Sequence, residues 1–141
     1  MLKMDIPEMV AFLADVFPQL GDDVHIDSLV EGDIRVRLMV RDAHLRPGGT
    51  VSGPSMFMLA DCAFYMAVLA HVGPEALCVT TNCSIDFMRR PSANDMIADV
   101  RLHKLGRSLA VGDVLLYSEG VDKPVARASL TYSIPPQARS L

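Results

Sequence analysis

The stretch GTVSGPSMFMLADCAFYMAVLAHVG, residues 49–73, decides how this chain folds. From Gly53 to Val72 every residue is apolar, small or weakly polar, with two exceptions: His71 at the end of the run and Asp61 at its middle. Met, Leu and Ala fill it, and these residues lose little freedom in a helix. Gly53-Pro54 suits a first helical turn, and Gly73-Pro74 closes the run. Its length is close to that of a bilayer-spanning helix. A carboxylate at the centre would cost about 2.5–3.5 kcal/mol on insertion, so the reading is a buried core helix rather than a membrane span. A helix that is apolar all round must be wrapped on nearly every side. An ionised carboxylate inside such a helix is unfavourable unless something compensates it. Asp61 is therefore the first candidate functional residue.

The flanking segments supply the wrapping. DIPEMVAFLADV at the N-terminus has a capping Asp5, a first-turn Pro7, and Met9, Val10, Leu13 and Val16 at helical spacing. VHIDSLVEGDIRVRLMV alternates on either side of Glu31-Gly32-Asp33 and predicts a hairpin. In it Val24, Ile26 and Ser28 share one face, as do Ile34, Val36, Leu38 and Val40. RDAHLRPGGTVSG predicts a loop. Four strands follow the long helix. ALCVTTNCSIDFMRR alternates with Val79, Thr81, Cys83, Ile85 and Phe87 on one side, and MIADVRLHKL puts Ile97, Val100 and Leu102 together with one slip in register. SLAVGDVLLYS and PVARASLTYSI complete the set, with turns at Gly106-Arg107 and Gly120-Val121-Asp122. The C-terminal PPQARSL predicts a frayed tail. Segregated helices and antiparallel strands make an α+β fold, a single domain over residues 1–141 in which a sheet curls around one apolar helix.

Composition narrows the function. Half of the 141 residues are hydrophobic and the net charge is −4, with basic residues dispersed, which argues against a nucleic-acid binder. Cys62, Cys78 and Cys83 form no CxxC pair and sit in apolar segments. They read as reduced, buried thiols of a cytoplasmic protein rather than a disulfide framework or metal site. His25, His71 and His103 show no metal spacing, and no cofactor is implied. No secretory leader is expected in MLKMDIPEMV, with its early Asp5 and Glu8.

The arrangement of one central helix and a long antiparallel sheet, together with residues 46–61, resembles the hotdog fold. It is similar to the acyl-CoA thioesterases of the phenylacetate-degradation type within the 4-hydroxybenzoyl-CoA thioesterase superfamily. Their pattern Asn-x-x-Gly-x-x-His-Gly-Gly, followed seven residues later by an acid, reads here as Arg46-Pro-Gly-Gly49-Thr-Val-Ser52-Gly53-Pro54 with Asp61 at the acidic position. TTNCSIDFMRRP, KLGRSLAVGDVLL and PVARASLTY are similar to the family's later strands, so the resemblance covers about residues 20–135. The chain departs from the pattern at Arg46, Ser52 and Pro54, which stand where the family has Asn, His and Gly.

The resemblance implies thioester hydrolysis, which needs a nucleophile or an activated water and a stabilised oxyanion. Asp61 would be the nucleophile or general base, and the N–H of Gly53 at the start of the long helix would polarise the carbonyl. Pro54 has no N–H, which leaves Gly53 as the donor. Ser52 is a helix cap or a contact to substrate or water. Thr80 stands where related enzymes place a hydroxyl near the acid. Arg46 is a candidate for holding a carboxylate or phosphate, and the Gly106-Arg107-Ser108 turn, with Arg89 and Arg90, for meeting the phosphates of coenzyme A. Acyl-CoA is the implied partner, with neither membrane nor nucleic acid. A homodimer or homotetramer is implied too, because family sites lie between two subunits. The resemblance also leaves open a non-catalytic acyl-CoA-binding or regulatory hotdog protein. A dehydratase would call for a His that the motif lacks.

Overall fold

The computed structural model of the chain describes residues 1–136. Helix α1 (Ile6–Val16) begins with a capping box in which the Asp5 side chain accepts from the Glu8 N–H and the Glu8 side chain from the Asp5 N–H. Strands β1 (Val24–Val30) and β2 (Asp33–Leu38) form the first hairpin. A short 3₁₀ turn (Asp42–His44) and a small hairpin of β3 (Leu45–Arg46) and β4 (Thr50–Val51) lead into α2 (Gly53–Val72). Strands β5 (Val79–Phe87), β6 (Met96–Leu105), β7 (Leu109–Ser118) and β8 (Ala126–Ser133) follow.

Six strands form one antiparallel sheet in the order β1-β2-β6-β7-β8-β5. It curls over α2, which packs against β2, β5, β6, β7 and β8. Leu59, Phe64, Met66 and Leu69 of the helix are fully buried among Ile34, Val36, Leu38, Met96, Leu116 and Leu130 of the sheet. One close approach makes this fit possible. A Cβ on Gly112 would lie 2.8 Å from the Phe64 ring and 2.4 Å from the Arg101 carbonyl, so only glycine lets the ring lie against β7. His71 locks the far end of the helix: its Nδ1–H donates to the Ala67 carbonyl (2.7 Å) and its Nε2 accepts the Gly32 N–H (2.8 Å), tying the first hairpin turn to α2.

The α+β architecture with one wrapped central helix is the one expected. Three strand faces differ from the simple alternation. A bulge between Ile26 and Ser28 turns Ser28 outward and brings Leu29 toward the core. On β6 the inward face is Met96, Ala98, Val100 and Leu102, unbroken as far as the bulge after Leu102, so Ile97 lies on the opposite face. On β5 a bulge between Thr80 and Asn82 shifts the phase: Thr80, Cys83 and Ile85 turn inward, while Val79, Thr81 and Phe87 are exposed. Each bulge inserts a residue opposite one on the neighbouring strand, which a strict period of two does not foresee. The segment before α2 is more ordered than a plain loop. Gly48 and Gly49 adopt positive φ, and the Gly49 N–H closes on the Arg46 carbonyl at 3.0 Å, making the β3–β4 turn. Most of the PPQARSL tail lies outside the described residues.

Candidate active site

Asp61 sits two turns into α2, on the side facing β5 and β8. Thr80 and Tyr132 are directly paired across those two strands, so their side chains rise side by side beneath the helix. The Thr80 hydroxyl donates to Asp61 Oδ1 at 2.6 Å, and the Tyr132 hydroxyl meets the same Oδ1 at 2.7 Å and the Asp61 main-chain oxygen at 3.1 Å. These contacts supply the compensation that a carboxylate on an apolar helix requires. Oδ2 takes no hydrogen bond among the described residues, and no buried side-chain polar atom there is left without a partner. Oδ2 therefore opens onto the adjoining cleft.

That cleft is lined by Val16 and Phe17 at the end of α1, by Cys62 and Tyr65 of α2, and by Ala76, Cys78 and Val79. Tyr65 donates to the Ala76 carbonyl (2.9 Å) and meets Phe17 edge to face, with ring centroids 6.2 Å apart. Burial pushes the Cys62 thiol up to about 12 and that of Cys78 up to about 11, so both stay protonated and weakly nucleophilic. Burial also pushes the Tyr132 phenol well above its ordinary value, so at neutral pH it remains a hydroxyl. Asp61 is the carboxylate of this cleft, with Oδ2 open to it.

Gly53 lies elsewhere. Eight residues along α2 amount to about 12 Å, and the first turn opens into a second cleft lined by Arg46, Thr50, Phe87, Arg89 and Arg90. The Ser52 side chain accepts the Ser55 N–H at 3.2 Å and donates to the Ser55 hydroxyl at 2.9 Å, which makes it the N-cap. The Gly53 N–H has no acceptor among the described residues, and the Phe87 ring packs 3.5 Å from where a Cβ would stand. Arg35, Arg37, Arg41, Arg101 and Arg127 each meet an acid within 4.0 Å. Among the described residues Arg46, Arg90 and Arg107 have no such partner, and Arg89 donates to the Pro124 carbonyl (2.7 Å). The Gly53 cleft is therefore a concentration of uncompensated positive charge at the N-terminus of a 20-residue helix.

The sequence-derived candidates thus fall into two groups within one chain. Asp61 and Thr80 share one cleft; Gly53, Arg46, Arg89 and Arg90 share the other. Arg107 is exposed in the β6–β7 turn, where the Gly106 N–H bonds the Leu109 carbonyl and the Ser108 carbonyl accepts the Ile134 N–H. The row Leu105–Ala110–Tyr132–Thr80 runs across the sheet, so this turn stands at the Asp61 end. Tyr132 was missed by the sequence reading. The signal was the alternation of ASLTYSI, which puts Tyr132 on the inward face with Ala128 and Leu130, where a phenol needs a polar partner.

A family model described as the thioesterase superfamily matches residues 48–125. Among solved structures, a candidate thioesterase from a Silicibacter species is 58% identical, with a TM-score of 0.90 over 96% of this chain and 95% of its own. A mutant of the phenylacetic acid degradation protein PaaI from Thermus thermophilus is 27% identical, with a TM-score of 0.69 over 89% of this chain and 99% of its own. The PaaI protein of the Escherichia coli phenylacetic acid degradation operon is 25% identical, with a TM-score of 0.71 over 91% of each chain. No curated protein matches the chain.

Proposed function

Because the chain belongs to the thioesterase superfamily, we propose that it hydrolyses an acyl- or aryl-CoA thioester to the free acid and coenzyme A, with Asp61 as nucleophile or general base. The observation that carries this reading is the carboxylate itself: Oδ1 is held by two hydroxyls and Oδ2 is left open to a cleft. A carboxylate kept only for packing would have no use for an open oxygen.

One chain holds the carboxylate and the oxyanion donor about 12 Å apart, too far for one carbonyl. A two-fold dimer resolves this. Strand β5 is an edge of the sheet, with Val79, Phe87 and Met88 exposed beside it and Phe57 exposed on α2. A nine-residue edge strand with apolar flanks invites pairing. Antiparallel pairing of β5 with its own copy inverts it, so the Val79–Thr80 end meets the Phe87 end of the other chain. The Asp61 cleft of one protomer then abuts the Gly53 cleft of its partner. The thioester carbonyl accepts the partner subunit's Gly53 N–H, which stabilises the negative charge that develops on oxygen. Asp61 Oδ2 either takes the proton of a water that attacks the carbonyl carbon, or attacks that carbon itself to give an acyl anhydride that water then hydrolyses, freeing the acid and the carboxylate. The thiolate of coenzyme A departs, and the acyl group lies in the cleft against Phe17 and Tyr65. The phosphates of the coenzyme meet the unpaired guanidinium groups of Arg46 and Arg90, with Arg89 beside them, and Arg107 from the Asp61 side.

The test is a panel of acyl- and aryl-CoA thioesters with free-thiol detection, run on the wild type, Asp61→Asn and Asp61→Ala. Turnover of at least one thioester by the wild type, with a loss of about 10²-fold or more in both variants and folded protein in each, is the expected result. Undiminished turnover in both variants removes Asp61 from the chemistry.

A further inference from the structure

Two hydroxyls on one carboxylate oxygen ask what each of them does. Thr80 is only partly buried and rides on a bulged edge strand. Tyr132 is different: it is 3% exposed and lies on a strand flanked by neighbours on both sides. Its ring is held by Phe64 at 5.2 Å and Tyr65 at 6.2 Å between centroids. The hydroxyl is therefore delivered to a fixed point. From there it reaches two atoms of one residue, Oδ1 (2.7 Å) and the main-chain oxygen (3.1 Å) of Asp61. A donor bridging a carboxylate and its own backbone selects one rotamer of that side chain. Here the selected rotamer leaves Oδ2 facing the cleft.

We infer that Tyr132 is the positioning residue of the site, its hydroxyl clamping Asp61 Oδ1 to the core so that Oδ2 is aimed into the cleft for attack or proton abstraction. This inference rests on the proposed role of Asp61. A hydrogen bond donated to a carboxylate favours its charged form, so removal of the donor should show in the acid limb of the rate profile as well as in kcat. The phenol remains a donor throughout the neutral range because burial holds its proton on. Tyr132 touches neither thioester nor water in this arrangement; it acts through Asp61.

Most of the other titratable groups facing the cleft do not change charge on the acid side of a pH profile. Cys62 and Cys78, pushed up to about 12 and about 11, stay neutral there, as does Tyr65, raised by its burial. Cys83, facing Asp61 from β5, is likewise raised by burial. Glu75, which faces Tyr65 and Cys78 from the α2–β5 connection, is the remaining acid. Glu75→Gln is the control and should leave the acid-side midpoint in place.

The experiment measures kcat and KM against pH on the thioester the wild type turns over best, for Tyr132→Phe, Thr80→Val and Asp61→Asn. Tyr132→Phe should lower plateau kcat about 10-fold with KM within a factor of about two, and move the acid-side midpoint up by about one pH unit, the scale of one charge-assisted hydrogen bond. Thr80→Val should move it in the same direction. In the Asp61→Asn background, Tyr132→Phe should cause no further loss, because both changes remove one function. A residue that merely packs would lower the melting temperature and leave the midpoint where it was. Should Tyr132→Phe fold poorly, 3-fluorotyrosine at position 132 keeps the shape with a stronger donor, and the midpoint should move down. An unmoved midpoint with Phe, or with fluorotyrosine where Phe does not fold, overturns the clamp while leaving Asp61 catalytic. Wild-type turnover in Asp61→Asn instead overturns the proposed function, and the clamp with it.

Discussion

At the Val79–Thr80 end of β5, the central helix presents a carboxylate to two hydroxyls and a wall of aromatic and thiol side chains. At the Phe87–Arg90 end, the same helix presents an open N–H beside the guanidinium groups of Arg46, Arg89 and Arg90, with a phenylalanine ring against the glycine. In the proposed reading the first end supplies the group that attacks or takes a proton, and the second supplies the donor for an oxyanion. The contrast extends to the arginines. Those on the outer face of the sheet are paired with acids placed opposite them, as Arg35 is with Asp99 across β2 and β6. Such exposed pairs add little stability and offer no net charge to a ligand. Arg46 and Arg90 have no acid among the described residues, so their field is free to act on an anion. On the same proposed reading each end of the strand is half of a site, and an antiparallel copy would join the halves.

The sharpest way to break this division is at the donor. Gly53→Pro removes the N–H while suiting the first turn of a helix. It should lower kcat about 10²–10³-fold, the usual loss for an oxyanion donor, with folding retained. Full activity would take the Gly53 end out of the reaction. A smaller effect is expected at the cationic mouth. Arg46→Ala with Arg90→Ala should raise KM for an acyl-CoA about 10-fold with kcat nearly unchanged. A thioester lacking the nucleotide should be handled equally by variant and wild type, because the contact is remote from the reacting carbonyl. Equal harm to both thioesters would place these arginines at the reacting group instead. The smallest effect belongs to Ser52, whose side chain is engaged at the helix end. Ser52→Ala should cost about 1 kcal/mol, as loss of a cap does, and lower the melting temperature by about 4 °C. Its kcat should stay within a factor of about two, and a larger fall would give Ser52 a part in the reaction.

The helix, its apolar wrapping and the lone carboxylate were legible because they depend on composition and period alone. So was the capping role open to Ser52, since a Ser before Gly-Pro at the head of a helix has few other local uses. The fine structure of the acid's surroundings was not. Strict alternation puts Thr81 inward on β5, and only the bulge after Thr80 brings the Thr80 hydroxyl under Asp61. A bulge is chosen by the pairing of β5 with β8, a long-range event that the local pattern does not encode. Tyr132 was hidden for a related reason: its inward phase can be read, but the partner of its hydroxyl lies 71 residues away. The separation of Gly53 from Asp61 could be counted along the helix from the start. That the two residues line different clefts depends on their neighbours from β3, β5 and β8, which the local pattern does not give.

The most direct test of a site shared between two copies is complementation. Asp61→Asn chains and Gly53→Pro chains, each inactive alone, are unfolded together, refolded as an equal mixture and assayed for thioester hydrolysis. With one intact composite site in each mixed dimer, and half of the dimers mixed, turnover should recover to about a quarter of the wild-type value. Activity no greater than the sum of the two parents, in a mixture shown to contain mixed dimers, would contradict the shared site and place the whole reaction within one chain.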